Sequence, residues 1–301
     1  MSESGAIGDI LWRPDAARAA NSNLARFARE AGVDPEDHAA LHAWSVAEPE
    51  GFYSLLWDFL EIVGEKGGQA VQPAADLREV RFFPEARLNY AENLLAGVGD
   101  GPAIIAHRDD GTRREVSRPE LVALVSRMTQ ALQAEGVRAG DRIAAIVTND
   151  IESIAFYLAS SAIGAIWASC SPDFGPAGAS DRLSQVAPSL LVAVPGYSYS
   201  GKSIDIAASI KAVAQTPSIR KVILFGATDA ALPKPATTLD DWLAPFAPQP
   251  IGFVRQRFDA PMAILFSSGT TGTPKCIVHS AGGLLLQHLK ELVLHCDLKR
   301  G

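Results

Sequence analysis

Residues 263–280 read AILFSSGTTGTPKCIVHS. An apolar run, fit for a buried strand, hands the chain to a string of small, hydroxylated and glycine residues. Pro274 and Lys275 follow, then a second apolar run. Gly269 and Gly272 admit positive φ and let backbone N–H groups come close to an anion. Ser267, Ser268, Thr270, Thr271 and Thr273 add hydroxyl donors, and Lys275 adds a positive charge. A polyphosphate, rich in acceptor oxygens, needs convergent donors of this kind. Gly, Thr and Pro also build ordinary hairpin turns, but those take about two to five residues and require neither a run of hydroxyls nor a following lysine. The segment therefore reads as two strands bracketing a phosphate-binding loop.

Two common phosphate loops are excluded. The G-x-x-x-x-G-K-[ST] pattern fails because Pro274 precedes Lys275 and Cys276 follows it. A dinucleotide fingerprint fails because no G-x-G-x-x-G opens a helix after the first strand.

Upstream of the loop, strands and helices alternate. PAIIAH (102–107) predicts a strand. Ser117-Arg118-Pro119-Glu120 matches a capping box with Pro in the first helical turn. The helix behind it presents Leu121, Leu124, Val125, Met128 and Leu132 on one face, and Gly136 is its stop. DRIAAIVTN (141–149) predicts a strand, and a helix from Ile151 runs into another strand by Cys170. SLLVAV (189–194) and KVILFG (221–226) predict strands on either side of a helix over SIDIAASIKAVAQ (203–215). Residues 227–250, rich in Pro and Ala, read as a connector. FVRQRF (253–258), AILFSS and CIVHS read as strands, and LLLQHLKELVLH (284–295) as a final helix. The fold class is α/β, with mixed, largely parallel sheets and flanking helices.

Residues 1–100 read as a helical leader region, and 101–301 as the first part of a large α/β domain. Asn21 or Ser22 caps a helix through Leu24, Phe27 and Ala28. GFYSLLWDFLEIVG (51–64) predicts a second helix, with Phe52, Leu56, Phe59, Leu60 and Val63 at helical spacing and Gly64, Gly67 and Gly68 ending it. That aromatic stripe reads as packing on a neighbouring domain and not as a ligand platform.

The composition, 48% hydrophobic and 20% charged, is that of an ordinary globular protein. A net charge of −7 without a long Lys/Arg run argues against nucleic acid or an acidic membrane surface as the main partner. Cys170, Cys276 and Cys296 form neither a disulfide framework nor a zinc pattern. With a polar, mixed start (MSESGAIGDI), they point to a reducing cytoplasm. Ile151–Cys170 is apolar except for Glu152, but its Ser, Ala and Gly content fits a buried helix and strand better than a membrane span.

SSGTTGTPK (267–275) resembles the signature loop of the adenylate-forming superfamily, which includes acyl-CoA synthetases, luciferases and peptide-synthetase adenylation domains. Cys276 stands where a Gly most often follows the Lys. LWRP (11–14), ANSNLARF (20–27) and FFPEARLNYAENLL (82–95) look like the leader of acetoacetyl-CoA synthetases. CSPDFG (170–175), GYSYSGKSID (196–205) and KCIVHSAGG (275–283) are similar to the same subfamily. Acetyl- and propionyl-CoA synthetases share the general plan.

The resemblance implies ATP-dependent, AMP-forming ligation of acetoacetate to CoA. The carboxylate attacks the α-phosphorus of ATP and expels pyrophosphate; the CoA thiol then displaces AMP from the acyl adenylate. It implies that Ser267, Ser268, Gly269, Thr270, Thr271, Gly272, Thr273 and Lys275 hold the β- and γ-phosphates, with Mg²⁺ sharing the charge. It places Lys202 near the CoA 3′-phosphate, with Tyr199 at the other basic position, and His279 near the acyl pocket wall. Trp167 and Cys170 read as packing. No metal ligand is expected among residues 1–301, since the later ATP- and Mg²⁺-binding motifs of the superfamily lie beyond the loop. The adenine pocket, the ribose-binding acid and the small domain with the catalytic Lys fall past the loop in this superfamily. The expectation is therefore an incomplete large domain, inactive alone, whose sheet continues beyond Gly301. A regulatory nucleotide-binding module and a non-catalytic remnant are the alternatives.

Overall fold

Leu190–Ala193 are all fully buried, and this both-faces-buried strand lies in the interior of the main sheet. The computed structural model describes residues 12–97, 99, 101–268 and 272–299. The main sheet has seven strands: β1 (Arg142–Ile146), β2 (Ile166–Cys170), β3 (Leu190–Ala193), β4 (Lys221–Leu224), β5 (Ala236–Thr238), β6 (Pro261–Phe266) and β7 (Cys276–Ser280). Their spatial order is β5-β4-β3-β1-β2-β6-β7. Every neighbouring pair is parallel except β6 and β7, which form an antiparallel hairpin. From β1 the chain steps one way to β2, then crosses to β3 on the other side of β1 and proceeds outward. That reversal is a topological switch point, the place where open parallel sheets gather ligands at the carboxyl ends of their strands.

Helix α1 (Arg118–Ala134) starts with the expected capping box: the Ser117 amide donates to Glu120 Oε2 at 2.8 Å, and the Glu120 amide donates to Ser117 Oγ at 3.4 Å. Gly136, at φ +75°, ends it. Helix α2 (Ile151–Ala162) is capped by Asp150 and stopped by Gly164 at φ +76°, so the apolar stretch folds as a buried helix turning into β2. Among the described residues no helix is long and apolar enough to cross a membrane. Phe156 of α2 is fully buried; it stacks on Trp242 at 5.6 Å and lies 6.0 Å from Trp167. Burying one such side chain stabilises the fold by about 1.5–3 kcal/mol.

By contact, the chain forms two compact units. One comprises Val63–Glu65 and Glu85–Leu284 and contains the sheet; the other comprises Met1–Ile62, Lys66–Pro84 and Leu285–Gly301. In the latter, Ser22 caps the helix Asn23–Glu30, whose buried Phe27 meets Trp44, Phe52 and Phe59 with ring centroids 6.4, 5.8 and 5.3 Å away. The aromatic stripe is therefore core within its own unit.

Several local expectations need correction. The helix expected over 51–64 starts at Pro49 and ends at Phe59, before the glycines, because Leu60 caps it and Glu61 turns left-handed at φ 52°. The helix expected over 203–215 is shorter, Ala207–Ala214. Its first residues instead form a strand, Lys202–Asp205, paired antiparallel with Gly196–Tyr199. Ser200 and Gly201, at φ 50° and 74°, give the two-residue turn that a tight hairpin requires. The connector 227–250 contains β5 and the helix Leu239–Leu243, which Thr238 caps by accepting from the Asp241 amide at 3.2 Å. FVRQRF contributes just Gln256–Arg257 as strand, and Arg113–Ser117 forms an unforeseen strand against Pro102–His107. The last helix starts at Ala281 and widens to π geometry over Lys290–His295.

Candidate phosphate-binding site

β6 is parallel to β2, so its carboxyl end opens on the edge of the sheet where ligand sites gather. The loop from Ser267 to Lys275 leaves that end and returns as β7. Its mouth is tied twice: the Ser267 amide donates to the Lys275 carbonyl at 3.0 Å, and the Lys275 amide donates to Ser267 Oγ at 2.9 Å. Ser267 and Lys275, eight residues apart, are thus brought together, and Lys275 remains exposed. Ser268, Gly272 and Thr273 are exposed as well, while Pro274 is buried and anchors the return. Gly272 has φ 139°, a backbone conformation that side-chain-bearing residues rarely adopt. Gly269, Thr270 and Thr271 of the expected set lie outside the described residues.

Two residues that the sequence reading passed over touch this loop. Arg182, in the helix α3 (Pro176–Leu183), donates to the Ser268 carbonyl at 3.3 Å, and Gln185 just beyond that helix donates to the Pro274 carbonyl at 3.0 Å. The available signal was an Arg and a Gln three apart after an otherwise small-residue helix, PAGASDRLSQ. Nearby Cys170 is buried; burial pushes its thiol up to about 12, opposed by the Arg182 charge, which fits packing and not nucleophilic chemistry. Trp167 is likewise core.

The remaining expected residues stand elsewhere. Lys202 is exposed at the end of the Gly196–Asp205 hairpin, opposite Tyr199. His279 lies on β7 opposite Ala263, half-buried. A separate concavity of about 520 Å³ lies at the switch point, lined in part by Asp150, Arg108, Arg114, Tyr197 and Phe225. Asp150 is buried and accepts from Arg108 Nε at 2.9 Å, with Arg114 Nη1 3.6 Å away. None of the described loop residues lines this concavity.

The protein family described as AMP-binding enzyme matches residues 93–297, a span that includes β1 to β7 and the loop. The chain belongs to the AMP-binding enzyme family. Among curated relatives, an acetoacetyl-coenzyme A synthetase of Rhizobium meliloti (strain 1021) is 46% identical over 299 residues, covering 97% of this chain and 46% of that protein. An acetoacetyl-CoA synthetase of Gallus gallus is 34% identical over 308 residues, covering 96% of this chain and 46% of its own length. The solved structure of an acetoacetyl-CoA synthetase from Streptomyces lividans superposes with a TM-score of 0.89 at 36% identity, over 96% of this chain and 46% of that one. The chain thus spans about half the length of the curated relatives it matches.

Proposed function

We propose that this chain supplies the phosphate-binding part of an ATP-dependent, AMP-forming acetoacetate–CoA ligase. The observation that carries the reading is the loop mouth, where Ser267 and Lys275 close on each other and leave exposed hydroxyls and an exposed ammonium beyond it. The names of its relatives support acetoacetate as the acid. The family match beginning at residue 93 supports a leader region before about residue 100 and the AMP-binding domain after it.

In this reading Ser267, Ser268, Gly272, Thr273 and Lys275, with Gly269, Thr270 and Thr271, hold the β- and γ-phosphates of ATP. The chemistry at the loop is charge stabilisation: as the acetoacetate carboxylate attacks the α-phosphorus, negative charge gathers on the departing pyrophosphate, and fixed donors lower its energy. Among the described residues no group of three His, Cys, Asp or Glu could hold a metal ion. Mg²⁺ would share the charge of the phosphates, binding to their oxygens and to water as this ion commonly does. Lys202 would meet the 3′-phosphate of CoA, and His279 would border the acyl group. The protein works in the cytoplasm on small molecules.

The test is acetoacetate-dependent ATP–pyrophosphate exchange by the complete protein. Lys275→Ala is expected to slow it roughly a hundredfold, the cost of removing one transition-state donor. An unchanged rate removes the loop from the reaction. Faster exchange with acetate than with acetoacetate would reassign the acid and leave the loop's role standing.

A further inference from the structure

One short helical segment grips both ends of the phosphate loop from outside. Arg182 and Gln185, three residues apart, reach the carbonyls of Ser268 and Pro274, respectively. Arg182 is 6% exposed, although its guanidinium is always charged. A charge taken out of water requires an opposite charge or a full set of hydrogen bonds. Around Arg182 the described residues offer the Gly178 carbonyl at 2.9 Å, the Ser268 carbonyl at 3.3 Å and the face of Phe174 at 4.0 Å. No carboxylate forms an ion pair with it among the described residues. Among the described residues the buried cation is therefore met, beside the loop, by carbonyls and a ring and by no carboxylate.

We propose that Arg182 and Gln185 form a clamp that positions the phosphate loop, and that the bound polyphosphate supplies the countercharge for Arg182. The inference rests on the phosphate reading above and deepens it. Arg182 is a positioning residue: it acts through the Ser268 carbonyl and through its charge. Phe174 covers one face of the guanidinium and keeps it aimed, a cation–π contact that also excludes water.

The experiment compares Arg182→Ala, Arg182→Lys and Gln185→Ala in the complete protein. It reads the KM for MgATP and kcat in pyrophosphate exchange, and amide hydrogen exchange of the 267–275 segment without nucleotide. Arg182→Ala is expected to raise the KM roughly tenfold, the cost of losing a charged hydrogen bond, with a smaller change in kcat and faster amide exchange in the loop. Arg182→Lys should recover part of the affinity, since it keeps the charge but loses the fork. Gln185→Ala should raise the KM about threefold, the size of a neutral hydrogen bond. Gln185 is exposed, so its variant decides the matter if Arg182→Ala does not fold. Wild-type KM and loop exchange in Gln185→Ala and in every folded Arg182 variant would overturn the clamp. A wild-type protein that binds no MgATP would overturn the phosphate reading instead, and the amide exchange of the variants would still decide whether the clamp holds the loop.

Discussion

In the interior of the sheet, β3 buries every residue, whereas at one edge β7 leaves Cys276, Ile277 and Val278 exposed. Both strands are apolar in sequence, so the difference comes from position. β3 has a parallel neighbour on each side and is covered on both faces, with Ile210 and Val213 among the residues packed around it. Among the described residues β7 pairs with β6 alone, and Ile277 and Val278 are 47% and 56% exposed. The interior carries the packing, and the hairpin end carries the exposed loop. A phosphate loop needs backbone N–H groups and hydroxyls that no ladder has consumed, and those survive where regular pairing stops.

The comparison can be broken most directly at the core. Phe156→Ala removes a fully buried ring that touches Trp167, Phe225 and Trp242. It should cost about 3–5 kcal/mol in chemical denaturation, with the loop's amide exchange rising only because the whole unit opens more often. A cost below about 1 kcal/mol would mean that the sheet's centre does not hold the fold. The next effect belongs to the carboxyl end of β1. Asp150→Ala strips the carboxylate that caps α2 and meets Arg108 and Arg114. Both arginines are some 40% exposed, at 44% and 40%, and can turn to water. The expected loss is therefore about 2 kcal/mol and not the full penalty of a wholly buried pair. A midpoint shift smaller than that of a surface substitution would show that the cluster is solvated and structurally idle.

The same contrast explains what could be read from sequence. LLVA and RIAAI declare themselves as buried strands because they are short apolar runs, too short for a helix, alternating with helical segments. The loop was legible as a loop because Gly, Ser, Thr and Pro break the pattern between two apolar runs that form β6 and β7. The hairpin at 196–205 was hidden: SIDIAASIKAVAQ has a helical look throughout, and Ser200-Gly201 lacks the Asn-Gly or Asp-Gly signature of a tight turn. β5 was hidden behind prolines, and its pairing with β4 is a tertiary fact. Arg182 could not be recognised because its partner carbonyl lies 86 residues onward. Only folding β6 beside β2 brings the two together.

The smallest effect is expected at β7 itself. Val278→Thr keeps shape and β-branching at a position 56% exposed, opposite Ile264. Threonine suits a solvated strand face as well as valine does, so the change should fall within about 0.5 kcal/mol. Substituting Val192, on the fully buried β3, by Thr would place a hydroxyl among apolar neighbours, so the pair of substitutions measures the contrast with nearly constant volume. A loss of 1–2 kcal/mol at Val278, of the order that burying an unpaired hydroxyl costs, would mean that this face is covered in solution. The hairpin would then be a second packed region, and the loop between its strands would owe its geometry to that cover as well as to Arg182 and Gln185.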